Sequence, residues 1–168
     1  MNLIKTIVAA LNAIPYSLIA LFLRIVAAHP FFVSGQTKID GPTLGGEIFG
    51  VDLSFQLPTA VRSATFALFA DEYKAPFMPP AVAAYVTSGL EFVLPLLLFI
   101  GLLTRVSALG LMLMTLVIQI FIYPDAWWTV HAYWMAILIV LFARGPGVIS
   151  LDHLLFTRWS SKSERALR

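Results

Sequence analysis

From Ala81 to Arg105 the chain reads AVAAYVTSGLEFVLPLLLFIGLLTR, an apolar run broken near its middle by a single acid, Glu91. A helix rises about 1.5 Å per residue and roughly 20 apolar residues cross the hydrocarbon of a bilayer. The pattern therefore predicts a transmembrane helix over residues 81–104 carrying a carboxylate at depth. Three further apolar stretches predict spans over residues 14–36, 106–123 and 127–143. The first runs on towards Lys38; Pro15 suits its opening turn, where a missing N–H costs nothing, and Pro30 predicts a kink. Pro124-Asp125 ends the third span, and Gly145-Pro146-Gly147 stops the fourth.

Residues 39–80 form the one sizeable segment outside these spans. Gly41 to Gly50, GPTLGGEIFG, reads as a flexible glycine-rich loop, without the lysine and following helix of a phosphate-binding loop. Leu57 to Tyr73 places Leu57, Val61, Ala64 and Leu68 at helical spacing. That predicts an amphipathic helix lying on the membrane surface or capping the bundle. The expected fold is an all-α membrane protein of one domain, 1–168: a four-transmembrane-helix bundle with an extra amphipathic helix in the first extracytoplasmic loop.

Orientation follows from lysines and arginines in short loops, which stay cytoplasmic. Lys5, Arg105, Arg144 and the tail residues Arg158, Lys162, Arg165 and Arg168 all fall on one side of this arrangement. Both termini and the basic tail, 144–168, are thus expected in the cytoplasm, loop 39–80 outside, and Tyr123, Trp127, Trp128 and Trp134 in the outer aromatic belt. Arg24 interrupts the first apolar stretch and Ala27-Ala28-His29 makes a poor cleavage site, so a cleaved leader is not expected.

Composition agrees: 60% hydrophobic, 12% charged and a mean hydropathy of +0.88 place the chain in the membrane class. The absence of cysteine removes disulfide, thiol and iron–sulfur chemistry. Three histidines on separate segments give no metal-ligand spacing, and no basic stripe suggests nucleic acid. Neither a Gly-x-Ser-x-Gly elbow nor a dinucleotide fingerprint occurs, so nothing specifies a self-contained catalyst, and no catalytic residue is assigned.

The spans carry one prominent polar group each: Arg24, Glu91, Gln119 and His131. An ionised side chain at the bilayer centre costs at least about 2.5–3.5 kcal/mol, so it faces a partner or a water-filled cavity. Arg24 and Glu91, each about midway along its span, are the natural ion pair. Gln119 and His131 extend that network outward; a histidine there can pass protons or bind an acidic or quinone-like group. The plainer alternative is that all four are interhelical hydrogen bonds holding a small bundle together. His29 and His153 read as loop or interface residues.

These residues, taken together, resemble the DoxX family of small four-span membrane proteins. The resemblance runs from Arg24 to Leu155. It rests on Arg24 followed by Gly35-Gln36-Thr37-Lys38, on Gly89-Leu90-Glu91 with Pro95 ahead of Leu98 to Arg105, and on the closing Gly145 to Asp152. The long segment between the first two spans departs from minimal members. The resemblance implies a four-helix bundle with Arg24, Lys38 and Glu91 as functional polar positions. It also implies association with sulfur or quinone redox chemistry, oxidative stress or metal handling; the missing cysteines argue against direct thiol chemistry.

The expected function is an inner-membrane subunit of a redox or quinone-associated system. Arg24 and Glu91 would hold a polar pocket, Lys38, Gln119 and His131 would line its mouth, and Tyr85, Phe92, Trp128 and Trp134 would stack on a planar head group. No covalent cofactor is expected, and a quinone is the candidate ligand. The alternatives are a small-molecule or metal transporter using the same cluster, and a scaffold whose residues 40–80 dock a soluble partner. Membrane lipids and a homo-oligomer complete the expected partners.

Overall fold

The computed structural model describes residues 2–74 and 76–157, so Arg158, Lys162, Arg165 and Arg168 of the expected basic tail lie outside the described residues. Helix α1, Asn2–Asn12, precedes the first span and leaves Leu3, Ile4, Ile7, Val8 and Leu11 exposed. Pro15, with an extended backbone, separates it from α2, Tyr16–Lys38. Hydropathy alone runs the two together as one apolar stretch. Proline disfavours the helical conformation of the residue before it, which is why the helix restarts here.

Three more helices are long and apolar enough to cross a membrane: α4, Pro80–Ile100; α5, Thr104–Phe121; and a fourth segment, Pro124–Arg144. The last begins as a 3-10 turn and a π-helix, Trp127–His131, before continuing as α6, Ala132–Arg144. The four-span expectation therefore holds. Small residues carry the packing: Ala20, Ala27, Ala28, Ala84 and Ala108 are buried with Leu98, Leu111, Leu138 and Leu141. In a bilayer, small side chains let helix backbones approach, and that contact replaces the hydrophobic drive of water-soluble cores. At Gly35 the α2 backbone comes close against α4, where an added Cβ would lie 3.0 Å from the Glu91 carbonyl.

The glycine-rich stretch is not a flexible loop but the outgoing arm and tip of a two-stranded antiparallel hairpin, residues 39–61. Its rungs pair Ile39 with Val61, Thr43 with Gln56, and Glu47 with Asp52. The register slips by one residue between Asp40–Ala60 and Thr43–Gln56, the signature of a β-bulge. At the tip Phe49 and Gly50 both have positive φ, 52° and 77°, as a type I′ turn demands. Alternation puts Leu44 and Phe55 on one face and Thr43, Glu47, Asp52 and Gln56 on the other. Phe55 seats its face on Phe32 of α2, ring centroids 6.1 Å apart.

The amphipathic helix starts later than expected, because Leu57–Val61 belongs to the returning strand. It comprises α3, Ser63–Ala67, running directly into a π-helix, Leu68–Tyr73. Phe69 packs with Ala83 and Ala84 of α4, so this helix caps the bundle.

Candidate functional site

The ion pair expected between Arg24 and Glu91 does not form. Glu91 is paired with Lys38, Nζ to Oε2 2.6 Å, and Ser34 Oγ donates to Oε1 at 3.2 Å. The reason is the antiparallel register of α2 and α4, which sets Ser34 and Gly35 beside Glu91 and sets Arg24 beside Phe99. Eight residues separate Glu91 from Phe99, about 12 Å along α4. Lys38 lies on the same buried face of α2 as Arg24, and it reaches the carboxylate because the helix runs unbroken through Pro30 to its end.

Lys38 is held on every side. Its three N–H groups go to Glu91, to Ser34 Oγ at 2.6 Å and to the Ser34 carbonyl at 3.3 Å. Arg62 and Thr65 cover the end of the helix, with the Arg62 amide and Thr65 Oγ1 both donating to the Lys38 carbonyl. The Arg62 guanidinium donates to the Thr37 carbonyl at 3.1 Å and pairs with Asp40 at 2.7 Å. Gln36 ties in the hairpin: its Oε1 accepts from the Gln56 amide at 2.6 Å. Each residue of Gly35-Gln36-Thr37-Lys38 thus has a distinct task in bringing α2, α4 and the hairpin to one point.

Arg24 belongs to the opposite end of the bundle. Its guanidinium, 1% exposed, donates to the Phe99 carbonyl at 3.3 Å and to the Ile149 carbonyl. A cation is favourable at carbonyls ending a helix, where the backbone dipole is negative. Gly101, at φ 72°, makes room for it: an added Cβ would stand 2.0 Å from Arg24 Nη1. The closing Gly145 to Asp152 segment completes this tie. Asp152 accepts from the Leu103 and Thr104 amides at 2.7 and 2.9 Å, capping α5, and Ser17 Oγ accepts from the Val148 amide at 3.0 Å. Arg24 is therefore a structural clasp here and not a wall of the site.

Beside the Lys38–Glu91 pair lies a cavity of about 480 Å³. Its polar residues are Ser34, Lys38, Glu91, His131, Tyr73, Tyr123 and Thr87, and the rest of its wall is apolar, from α4 and α5 with Phe69, Met78 and Trp134. Val86 and Leu90 of α4 and Val106 and Leu113 of α5 line it while staying exposed, so it is a cleft opening sideways between two spanning helices. Gly110 keeps the inner part narrow, since Leu94 packs over it. The two π-helices each place one rim residue, Tyr73 and His131; widened turns of this kind recur at functional sites.

Gln119 Oε1 lies 2.6 Å from His131 Nδ1, and His131, 3% exposed, lines the cleft, but Gln119 does not line it and neither residue is hydrogen-bonded to Glu91 or Arg24. The aromatic expectations divide. Trp134 lines the cleft, its ring 5.4 Å from His131 and 5.0 Å from Phe31. Tyr85 is 61% exposed against Phe66, Phe92 packs at a tilt against Phe32, and Trp128 is 79% exposed, so none of these three lines the cleft. Tyr73 and Tyr123 supply the rim instead, and no periodicity points to them, because Tyr73 reaches the cleft from the capping helix. Burial, the neighbouring Tyr123 phenol and the Glu91 carboxylate push the Tyr73 phenol above the ordinary tyrosine range, so it is a neutral hydroxyl at physiological pH. Among the described residues no group of three His, Asp or Glu side chains is placed to hold a metal.

The DoxX family model matches residues 19–132, more than half of the chain. A protein of Haemophilus influenzae, described as uncharacterized, is 30% identical over 160 residues, covering 85% of this chain and 87% of its own. No solved structure matches. The matched segment takes in Arg24, Lys38, Glu91, Gln119 and His131. It also carries Gly35 and Gly101, the glycines on which the two ties depend. The chain belongs to the DoxX family of membrane proteins.

Proposed function

We propose that this protein is a bacterial inner-membrane subunit associated with a redox system, and that the cleft between α4 and α5 holds the head group of a quinone-type lipid. The observation that carries the reading is a charged pair, Lys38–Glu91, set into the wall of a mainly apolar cleft that opens between two spanning helices. An amphiphile with a small polar head and an apolar chain enters such a site from the membrane without passing through water. The rings of Trp134 and Tyr73 suit a planar head group. Arg105 and Arg144 sit together at the end of the bundle opposite the hairpin, which supports placing that end in the cytoplasm.

The test is mass spectrometry of small molecules retained by protein purified in native-lipid discs, comparing wild type with the Lys38→Met, Glu91→Leu double variant. A quinone-type lipid retained by the wild type and lost from the double variant supports the reading; equal retention, or none, overturns it. The hairpin favours a second reading, a docking subunit. Phe49 stands fully exposed at its tip, and Gln36 and Arg62 brace its base. Deleting residues 43–56 would then abolish co-purification of a partner polypeptide without unfolding the bundle.

A further inference from the structure

The hydrogen-bonding polarity of the cleft is set by atoms whose roles are forced. Gln119 Nε2 donates to the Pro124 carbonyl, which can only accept, so the amide is oriented with Oε1 towards His131. Oε1 can only accept, so His131 Nδ1 carries the proton. In the neutral ring Nε2 is then a bare acceptor, and it has no partner among the described residues. The Lys38 ammonium, the one cation of the rim, has its three donors engaged by Ser34 and Glu91. Ser34 Oγ spends its hydrogen on Glu91. Glu91 accepts one bond on each oxygen and keeps lone pairs free. The Tyr73 and Tyr123 phenols share a hydrogen bond, and their hydroxyls and that of Thr87, which can each donate or accept, serve either form of a ligand and take no side.

We infer that the cleft selects a hydrogen-bond-donating head group, and that among quinone-type lipids it takes the reduced, dihydroxy form over the oxidised, dicarbonyl form. A hydroquinone O–H can donate to His131 Nε2; a quinone carbonyl there sets acceptor against acceptor. One well-made buried hydrogen bond, against an unpaired acceptor in its place, separates the two forms by about tenfold or more. The inference concerns binding alone and rests on the quinone reading of the cleft.

The experiment is calorimetric titration of wild-type protein in lipid nanodiscs with a short-chain benzoquinone, its hydroquinone, and the dimethyl ether of that hydroquinone. The hydroquinone should bind at least about tenfold more tightly than the other two, and the ether, having the same ring without donors, should match the quinone. His131→Phe should erase the preference. Gln119→Leu, which frees the imidazole to change tautomer without touching the ligand, should reduce it. Equal affinity for all three compounds would overturn the donor selectivity while leaving the quinone site standing. Binding of none of them would overturn both.

Discussion

Replacing Lys38 by methionine would leave Glu91 buried at 3% exposure with Ser34 Oγ as its one remaining side-chain donor. Removing one partner of a buried ion pair costs about 3–5 kcal/mol, because the other charge stays desolvated. Lys38→Met should fall in that range. Glu91→Gln should cost less, about 1–3 kcal/mol, since the ammonium keeps both Ser34 oxygens and can still donate to the new amide oxygen. The double variant Lys38→Met, Glu91→Leu removes both charges, and apolar replacement of a whole buried pair is often neutral or stabilising. It should recover most of the loss. Reversible unfolding in mixed micelles, titrated with a denaturing detergent, measures all three. A Lys38→Met loss under about 1 kcal/mol, or a double variant no better than Lys38→Met, would refute the buried pair.

Arg24→Met leaves the Phe99 and Ile149 carbonyls without their cation and should cost about 3 kcal/mol. Ligand retained per folded molecule should be unchanged, and a loss of ligand without loss of stability would return Arg24 to the site. Asp152→Ala removes the cap on α5 and should cost about 1 kcal/mol in the same detergent titration. Asp152→Asn should lie between, because an amide oxygen replaces one of the two accepting oxygens. Tyr73 should titrate above ordinary tyrosine, read as the difference in phenolate absorbance between wild type and Tyr73→Phe. Because its folded pKa is raised, its contribution to stability is whole below the unfolded value of about 10 and lost as the pH climbs through the folded one.

The four spans are legible in the sequence because length and hydropathy alone define a helix that crosses a bilayer. The Gln119–His131 contact is legible for a similar reason: a turn at Pro124-Asp125 brings the ends of two consecutive spans together. Pairing across α2 and α4 is not, because some 40 residues separate the helices and their relative shift is set by the hairpin and by Gly35. Matching midpoints sets Arg24 opposite Glu91, whereas α2 extends to Lys38 and moves the register by several turns. The buried face of α2 carries two cations, Arg24 and Lys38, either of which could meet the one acid, and helical spacing does not choose between them. The hairpin is hidden by its own glycines. Gly45 and Gly50 serve turns and close approaches, and with Gly46 they interrupt the alternation by which a strand is recognised.

The most direct test of the cleft is photolabelling of the protein in its native membrane with a photoreactive phenol bearing a short alkyl chain, the labelled positions being mapped by peptide mass spectrometry. Labelling should be saturable and confined to cleft residues such as Leu90, Leu113, Val117 and Tyr73, displaced by an unlabelled hydroquinone and absent from Lys38→Met, Glu91→Leu. Labelling spread evenly over the exposed faces of all four spans, undisturbed by the competitor, would contradict the cleft as a binding site.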